Sequence, residues 1–196
     1  MTDQITTIDI AVDEPTEDVV EAPVDLSPIE GFKRPYDFLS NTSAFPIVID
    51  NIYYMTAEHA FQAHRVLSPK KREIVALSPT PEQARLLGQR LPLRDDWEEV
   101  KDEVMRKILE VKFSSNQLRP ALIQLADRQI INSNTSHDQY WGDCTCHSHE
   151  SVPGENRLGK MLMSLRDDLI AAADNPPEPE YIDDGTFTDV EPDVEL

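Results

Sequence analysis

The chain has 196 residues, a net charge of -19 and 39% hydrophobic residues, enough for one single-core domain. Nine Asp and Glu fall in residues 1–30 and nine in 174–196, with no Lys or Arg in either span, so residues 31–173 hold 19 acids against all 18 basic residues. This nearly neutral middle lacks the basic excess of a duplex-binding protein, and no apolar run reaches membrane-spanning length.

The acidic N-terminus has neither the basic segment nor the apolar segment of a secretory signal, which predicts a soluble, cytoplasmic protein that makes no use of a membrane. Residues 1–30 and 174–196 are rich in Pro and acid without helical or strand period, as in "DEPTEDVVEAPVDLSP". They are expected to be disordered acidic tails flanking one domain at 31–173.

Within the domain, "PIVI" and "IYYM" flank Asp50-Asn51, a pair that tolerates positive φ, so residues 46–55 predict a hairpin. A helix follows with Thr56 as N-cap, and Ser68-Pro69 ends it and opens a second. "TPEQARLLG" has Thr80 and Gln83 at capping-box spacing, Pro81 at the first helical position and Gly88 as terminator. The longest helix is expected over Asp96 to Lys112, with Val100, Val104, Ile108 and Val111 facing inward and Glu, Lys and Arg outward. Leu118, Leu122 and Leu125 mark another helix, "QII" at 129–131 a short strand, and Leu158, Leu162, Leu165 and Leu169 a last helix over Arg157 to Ala173. Few short strands that do not alternate with helices predict a predominantly helical α+β fold.

Polar and aromatic clusters remain once the core is assigned. In "TAEHAFQAHR", Glu58, Gln62 and Arg65 follow i, i+4, i+7 spacing and share one helical face. "YDFLSN" contributes Asn41, "LRDDW" Arg94, "HDQYWG" Asp138, Tyr140 and Trp141, and "GENRLG" Asn156. Cys144 and Cys146 are one residue apart, a poor spacing for a structural disulfide. With His149 they form C-x-C-x-x-H, and His147 and His137 are near. Two thiols without a second distant pair favour surface thiols and histidines rimming a pocket, so neither a metal nor a cofactor is expected.

In order and spacing, "FLSN", "TAEHAFQAHR", "GQRLPLRDDWEEVKDEVMRKILEVKF", "HDQYWGDC" and "GENRLGKMLMSLR" resemble the NADAR family of YbiA-like N-glycosidases, over about residues 35–170. The resemblance implies a compact single domain that hydrolyses the bond between a ribosyl group and a base or amine. The implied substrates are phosphoribosyl-aminopyrimidine intermediates of riboflavin synthesis or ADP-ribose attached to guanine, free or within nucleic acid.

Such chemistry needs a carboxylate near the anomeric carbon, a proton donor and a positioned water. Glu58, matching the family's "EH" glutamate, is the first candidate to activate water or stabilise the oxocarbenium ion, and Asp138 is the second acidic candidate. Tyr140 and Trp141 offer a flat surface for a base. Arg65, Arg94 and the amides of "GENRLG" are candidate phosphate contacts, and Gln62, Asn41 and Asn156 candidates to orient sugar or base. Arg65 stands where the family motif usually has lysine, and Asn132 where relatives often have glutamate. These departures keep open a non-catalytic module that binds ADP-ribose or another nucleotide. The uncompensated acids of the tails suggest a third function, occupying a basic protein partner.

Overall fold

The computed structural model describes residues 25–174. The acidic-tail expectation for 1–24 and 175–196 therefore lies outside the described residues. The expected tail boundary at residue 30 is displaced: β1 (Ile29–Glu30) pairs in parallel with β4 (Ile130–Ile131), and Ile29 is buried. One apolar side chain in a parallel ladder offsets the pull of its acidic neighbours toward water.

The hairpin forms as its turn residues require. β2 (Ile47–Ile49) and β3 (Ile52–Tyr54) pair antiparallel around Asp50 and Asn51, with φ of 52° and 61°, the two positive values of a type I′ turn. α1 (Ala57–Ala63) is capped by Thr56 Oγ1, which accepts the His59 amide, and the Asn41 carbonyl accepts the Glu58 amide at 2.8 Å. α2 (Pro69–Ala76) and α3 (Pro81–Arg90) both start on proline, and Thr80 caps α3 through the Gln83 amide.

α3 does not stop at Gly88 but continues to Arg90. Gly88 serves packing instead: a Cβ there would meet Gln62 Oε1 at 2.9 Å and the Gln62 backbone oxygen at 3.1 Å. The missing side chain lets α3 lie directly on α1.

α4 (Trp97–Phe113) has 17 residues and α6 (Arg157–Asp174) 18, so among the described residues the longest helix is the last one. The buried face of α4 is also rotated from the valine stripe. Trp97, Met105, Ile108, Leu109, Lys112 and Phe113 are buried, while Val100, Val104 and Val111 are only partly so. The larger side chains remove more apolar area and take the interior. Lys112 goes in with them because its ammonium donates to the Ser40 carbonyl at 2.7 Å.

α5 (Leu118–Ile123) and α6 complete the core, with Leu158, Leu162 and Leu165 inward as expected. β5 (Ser133–Asn134) and β6 (Asp143–Cys144) form a second parallel pair within a long loop. The fold is the expected helical α+β domain with short strands. Among the described residues, no helix is long and apolar enough to cross a membrane.

Candidate active site

The α1 face, the loop before α1, the N-terminal half of α3 and the 132–141 loop enclose a cavity of about 790 Å³. Six of the nine expected site residues line it: Asn41, Glu58, Gln62, Arg65, Asp138 and Trp141.

Glu58 sits at the first turn of α1, where Gln62 Nε2, one turn on, donates to its Oε1 at 3.0 Å. Burial pushes its pKa above the usual carboxylate range. The Gln62 hydrogen bond and the positive charges of Arg85 and Arg65 pull the other way, and the like charge of Asp138 adds to the rise. A carboxylate made more basic in this way accepts a proton more readily than an ordinary one.

The next residue, His59, points the opposite way and is fully buried. Its Nε2 meets the Ser78 carbonyl at 3.0 Å and its Nδ1 the Thr56 hydroxyl at 2.8 Å. A carbonyl only accepts, so Nε2 carries the proton and Nδ1 accepts from Thr56. His59 thus locks α1 to the segment leading into α3 and fixes the orientation of Glu58.

Arg65 follows the end of α1, with its guanidinium 5.4 Å from the centre of the Trp97 ring. Burial works against its charge, which Glu98 and Glu58 support. Phe61 and Trp141 meet edge-to-face at 5.4 Å and supply the cavity's aromatic wall.

Four buried side-chain polar atoms have no hydrogen-bond partner among the described residues: Asn41 Oδ1, Gln62 Oε1, Arg65 Nε and the Tyr54 hydroxyl. Three of the four belong to residues of the cavity wall. Leaving such a group unsatisfied costs about 1–3 kcal/mol, and clusters of them mark sites shaped for something other than stability.

Asp138 reaches the wall on a rigid loop. Its Oδ1 accepts the amides of Tyr140 at 3.1 Å and Trp141 at 2.9 Å, and Asn134 brackets it from behind, donating to its carbonyl at 2.8 Å. One carboxylate oxygen is thereby committed to the loop, an Asx-type arrangement.

Three expected contacts lie elsewhere. Arg94 grips Asp96 through two bonds of 2.6 and 2.7 Å and does not line the cavity. Tyr140 turns outward, its hydroxyl donating to Asp102 at 2.7 Å and its ring held between Lys101 and Arg157. Asn156 is buried behind the wall: Oδ1 accepts the Asn132 amide and Nδ2 donates to the Ile130 carbonyl, both at 2.9 Å. It positions Asn132, which does line the cavity.

The "GENRLG" amides are not free to hold an anion. Those of Glu155, Asn156, Arg157 and Leu158 donate to the carbonyls of Gln139, Gly142, Tyr140 and Trp141, and that of Gly154 to the Asp143 carboxylate. The helix start is instead the clasp that holds the Asp138 loop.

Arg85, Asn134 and Ser136 line the cavity without having been singled out in the sequence. For Arg85 a signal was present, since it lies on the α3 face next to Gly88, whose absent side chain brings α3 against Gln62.

The NADAR domain profile matches residues 29–170. The chain belongs to the NADAR domain family. The N-glycosidase YbiA of Escherichia coli is 40% identical over 137 residues, 68% of this chain and 82% of that protein. The solution structure of E. coli YbiA superposes with a TM-score of 0.68 at 32% identity, covering 83% of this chain and 96% of that one. An N-glycosidase of Nostoc punctiforme is 34% identical over 142 residues, 69% of this chain and 87% of that protein. The chloroplastic riboflavin biosynthesis protein PYRR of Zea mays is 31% identical over 134 residues, 62% of this chain and 20% of that protein. The NADAR profile begins at Ile29, the residue that opens β1.

Proposed function

We propose that this NADAR domain is an N-glycosidase that hydrolyses the bond between C1′ of a ribosyl group and a nitrogen of a base or amine. The observation that carries the reading is the partly buried Glu58 carboxylate, its pKa raised, at a cavity whose wall includes Asn41, Gln62 and Arg65, each with an unpartnered polar atom. The names of the relatives point to the same chemistry.

In the proposed reaction the C1′–N bond breaks with its electron pair going to the base, and positive charge builds on the sugar. Glu58 faces that charge and takes a proton from the water that attacks C1′; the proton is then returned to the departing base or to solvent. Asp138 holds ribose hydroxyls with its uncommitted oxygen, Trp141 receives the base, and Arg65 with Arg85 faces phosphate. A charge-holding role needs only a guanidinium, so arginine at position 65 is compatible with turnover.

The cavity volume suits a nucleotide-sized ligand. Ribosylaminopyrimidine phosphates and ADP-ribosylated guanine are the two classes to separate, in the cytoplasm if the protein resides there. Incubating the purified chain with each, and following free base by chromatography, selects between them. Release from neither, together with calorimetric binding of ADP-ribose, would replace the enzyme by a nucleotide-binding module.

A further inference from the structure

The ligand atoms of His137, Cys144, Cys146 and His149 lie within 4.8 Å of one another, on the outer side of the loop that carries Asp138. His137 Nδ1 and His149 Nδ1 are 3.4 Å apart, and Cys146 Sγ is 3.3 Å from the first and 3.1 Å from the second. Tetrahedral zinc, with Zn–N near 2.0–2.1 Å and Zn–S near 2.3 Å, separates its ligands by about 3.3–3.8 Å. The N–N distance matches such an edge, and the two S–N distances are about 0.2–0.5 Å shorter than theirs.

Hydrogen bonds serve this triangle two contacts at a time: with the rings in opposite tautomers, the Nδ1–H of one reaches the sulfur or the bare Nδ1 of the other, and the thiol proton reaches one ring only. A cation at the centre satisfies every contact at once. Local structure also converges here. Asn134 organises the turn from 134 to 138, His137 stands at φ 64°, β6 aligns Cys144 against Asn134, and a 3₁₀ turn, His147–His149, brings His149 back.

We propose that His137, Cys144, Cys146 and His149 form a tetrahedral S₂N₂ zinc site that staples the wall of the cavity. Two thiolates and two imidazoles select zinc over hard cations, and four protein ligands make a closed, structural site rather than a catalytic one. None of the four lines the cavity, so the metal acts on the reaction only through the loop. It joins the residue preceding Asp138 to β6 and to the turn beyond it, fixing the segment that presents Asp138 and Trp141. The proposal departs from the expectation of surface thiols without a metal: Cys144 is buried, and the ligand atoms of the two histidines lie close to the sulfur atoms.

The test uses the full chain, purified under reducing conditions and reconstituted with zinc, with metal counted by plasma mass spectrometry. About one zinc per chain is expected. C146S and H149A, both at partly exposed positions, should each lower retained zinc at least tenfold while circular dichroism stays that of the folded domain. H147A should keep the full complement, because His147 is exposed and faces Glu150. Cobalt substitution should give thiolate-to-metal charge transfer and the visible bands of tetrahedral coordination. Zinc below a tenth of the protein after reconstitution, zinc retained by C146S and H149A together, or a Cys144–Cys146 disulfide in the purified chain would each overturn the site. These readouts are independent of glycosidase activity.

Discussion

Replacing Glu58 by glutamine separates the chemistry of the site from its stability. The change preserves size and keeps an oxygen for the Gln62 Nε2 bond, so the packing of α1 is undisturbed. Loss of a positioned acid/base group typically costs 10²–10⁴ in rate, so kcat should fall by about 2.7–5.4 kcal/mol of barrier at about 1.36 kcal/mol per decade. Stability should move the other way. Burial raises the native pKa of Glu58 above the ordinary 4.5, so from that pH upward the native state holds more protons than the unfolded chain, and stability falls as pH rises through the window. Glutamine carries no charge to desolvate. The variant should match the parent near pH 4 and exceed it near pH 7 by about 0.5–2 kcal/mol, the usual gain on relaxing an active-site group. Urea unfolding across this range, beside base release at saturating substrate, reads both quantities. A variant that retains activity within about threefold, or that is less stable than the parent at pH 7, would refute the assignment of Glu58 as the partly buried reactive carboxylate.

Other positions make separate tests. N156A removes two hydrogen bonds and a residue suited to its φ of 48°, so it should cost about 2–3 kcal/mol in thermal unfolding and reduce turnover through Asn132. R94A should leave KM unchanged and cost under about 1 kcal/mol, since Arg94 is engaged with a partly exposed Asp96; a several-fold rise in KM would restore Arg94 to the site. Burial lowers the Lys112 pKa to about 7, so between there and its unfolded 10.5 the unfolded chain holds more protons and stability rises with pH. K112M should remove that slope, and from pH 7 to 9 the parent should gain up to about 2.7 kcal/mol relative to the variant in denaturant unfolding.

The fold was legible where local chemistry and burial agree. Asp50-Asn51 names its turn, Thr56 and Thr80 name their caps, and the leucines of α6 keep helical period into the core. It was misread where a long-range partner decides. Gly88 looks like a terminator until Gln62 is placed against it, Ile29 looks like tail until β4 arrives beside it, and Lys112 looks like surface until the Ser40 carbonyl accepts from it. Helical spacing placed Glu58, Gln62 and Arg65 together, because one helix face is a local property. Whether Tyr140 or Trp141 faces the cavity is not local. It depends on Lys101, Asp102 and Arg157, distant in sequence, which draw Tyr140 to the outside and leave Trp141 against Phe61.

The two faces of the 132–156 loop join the separate observations into one design. Its inner face presents Asn132, Asn134, Asp138 and Trp141 to the cavity, but its strands are two residues long and cannot hold that geometry by ladder bonds alone. Three clasps compensate: the α6 amides from one side, Asn156 across the strand end, and the His/Cys cluster from outside. Each acts through backbone or through residues beside the reacting groups, so loosening any of them should raise KM and lower kcat, while the pH dependence that belongs to Glu58 moves down only slightly, because burial and not the Asp138 charge is the main cause of its raised pKa. A large move of the pH profile on breaking a clasp would mean that the clasp, and not the burial of Glu58, sets the charge in the cavity.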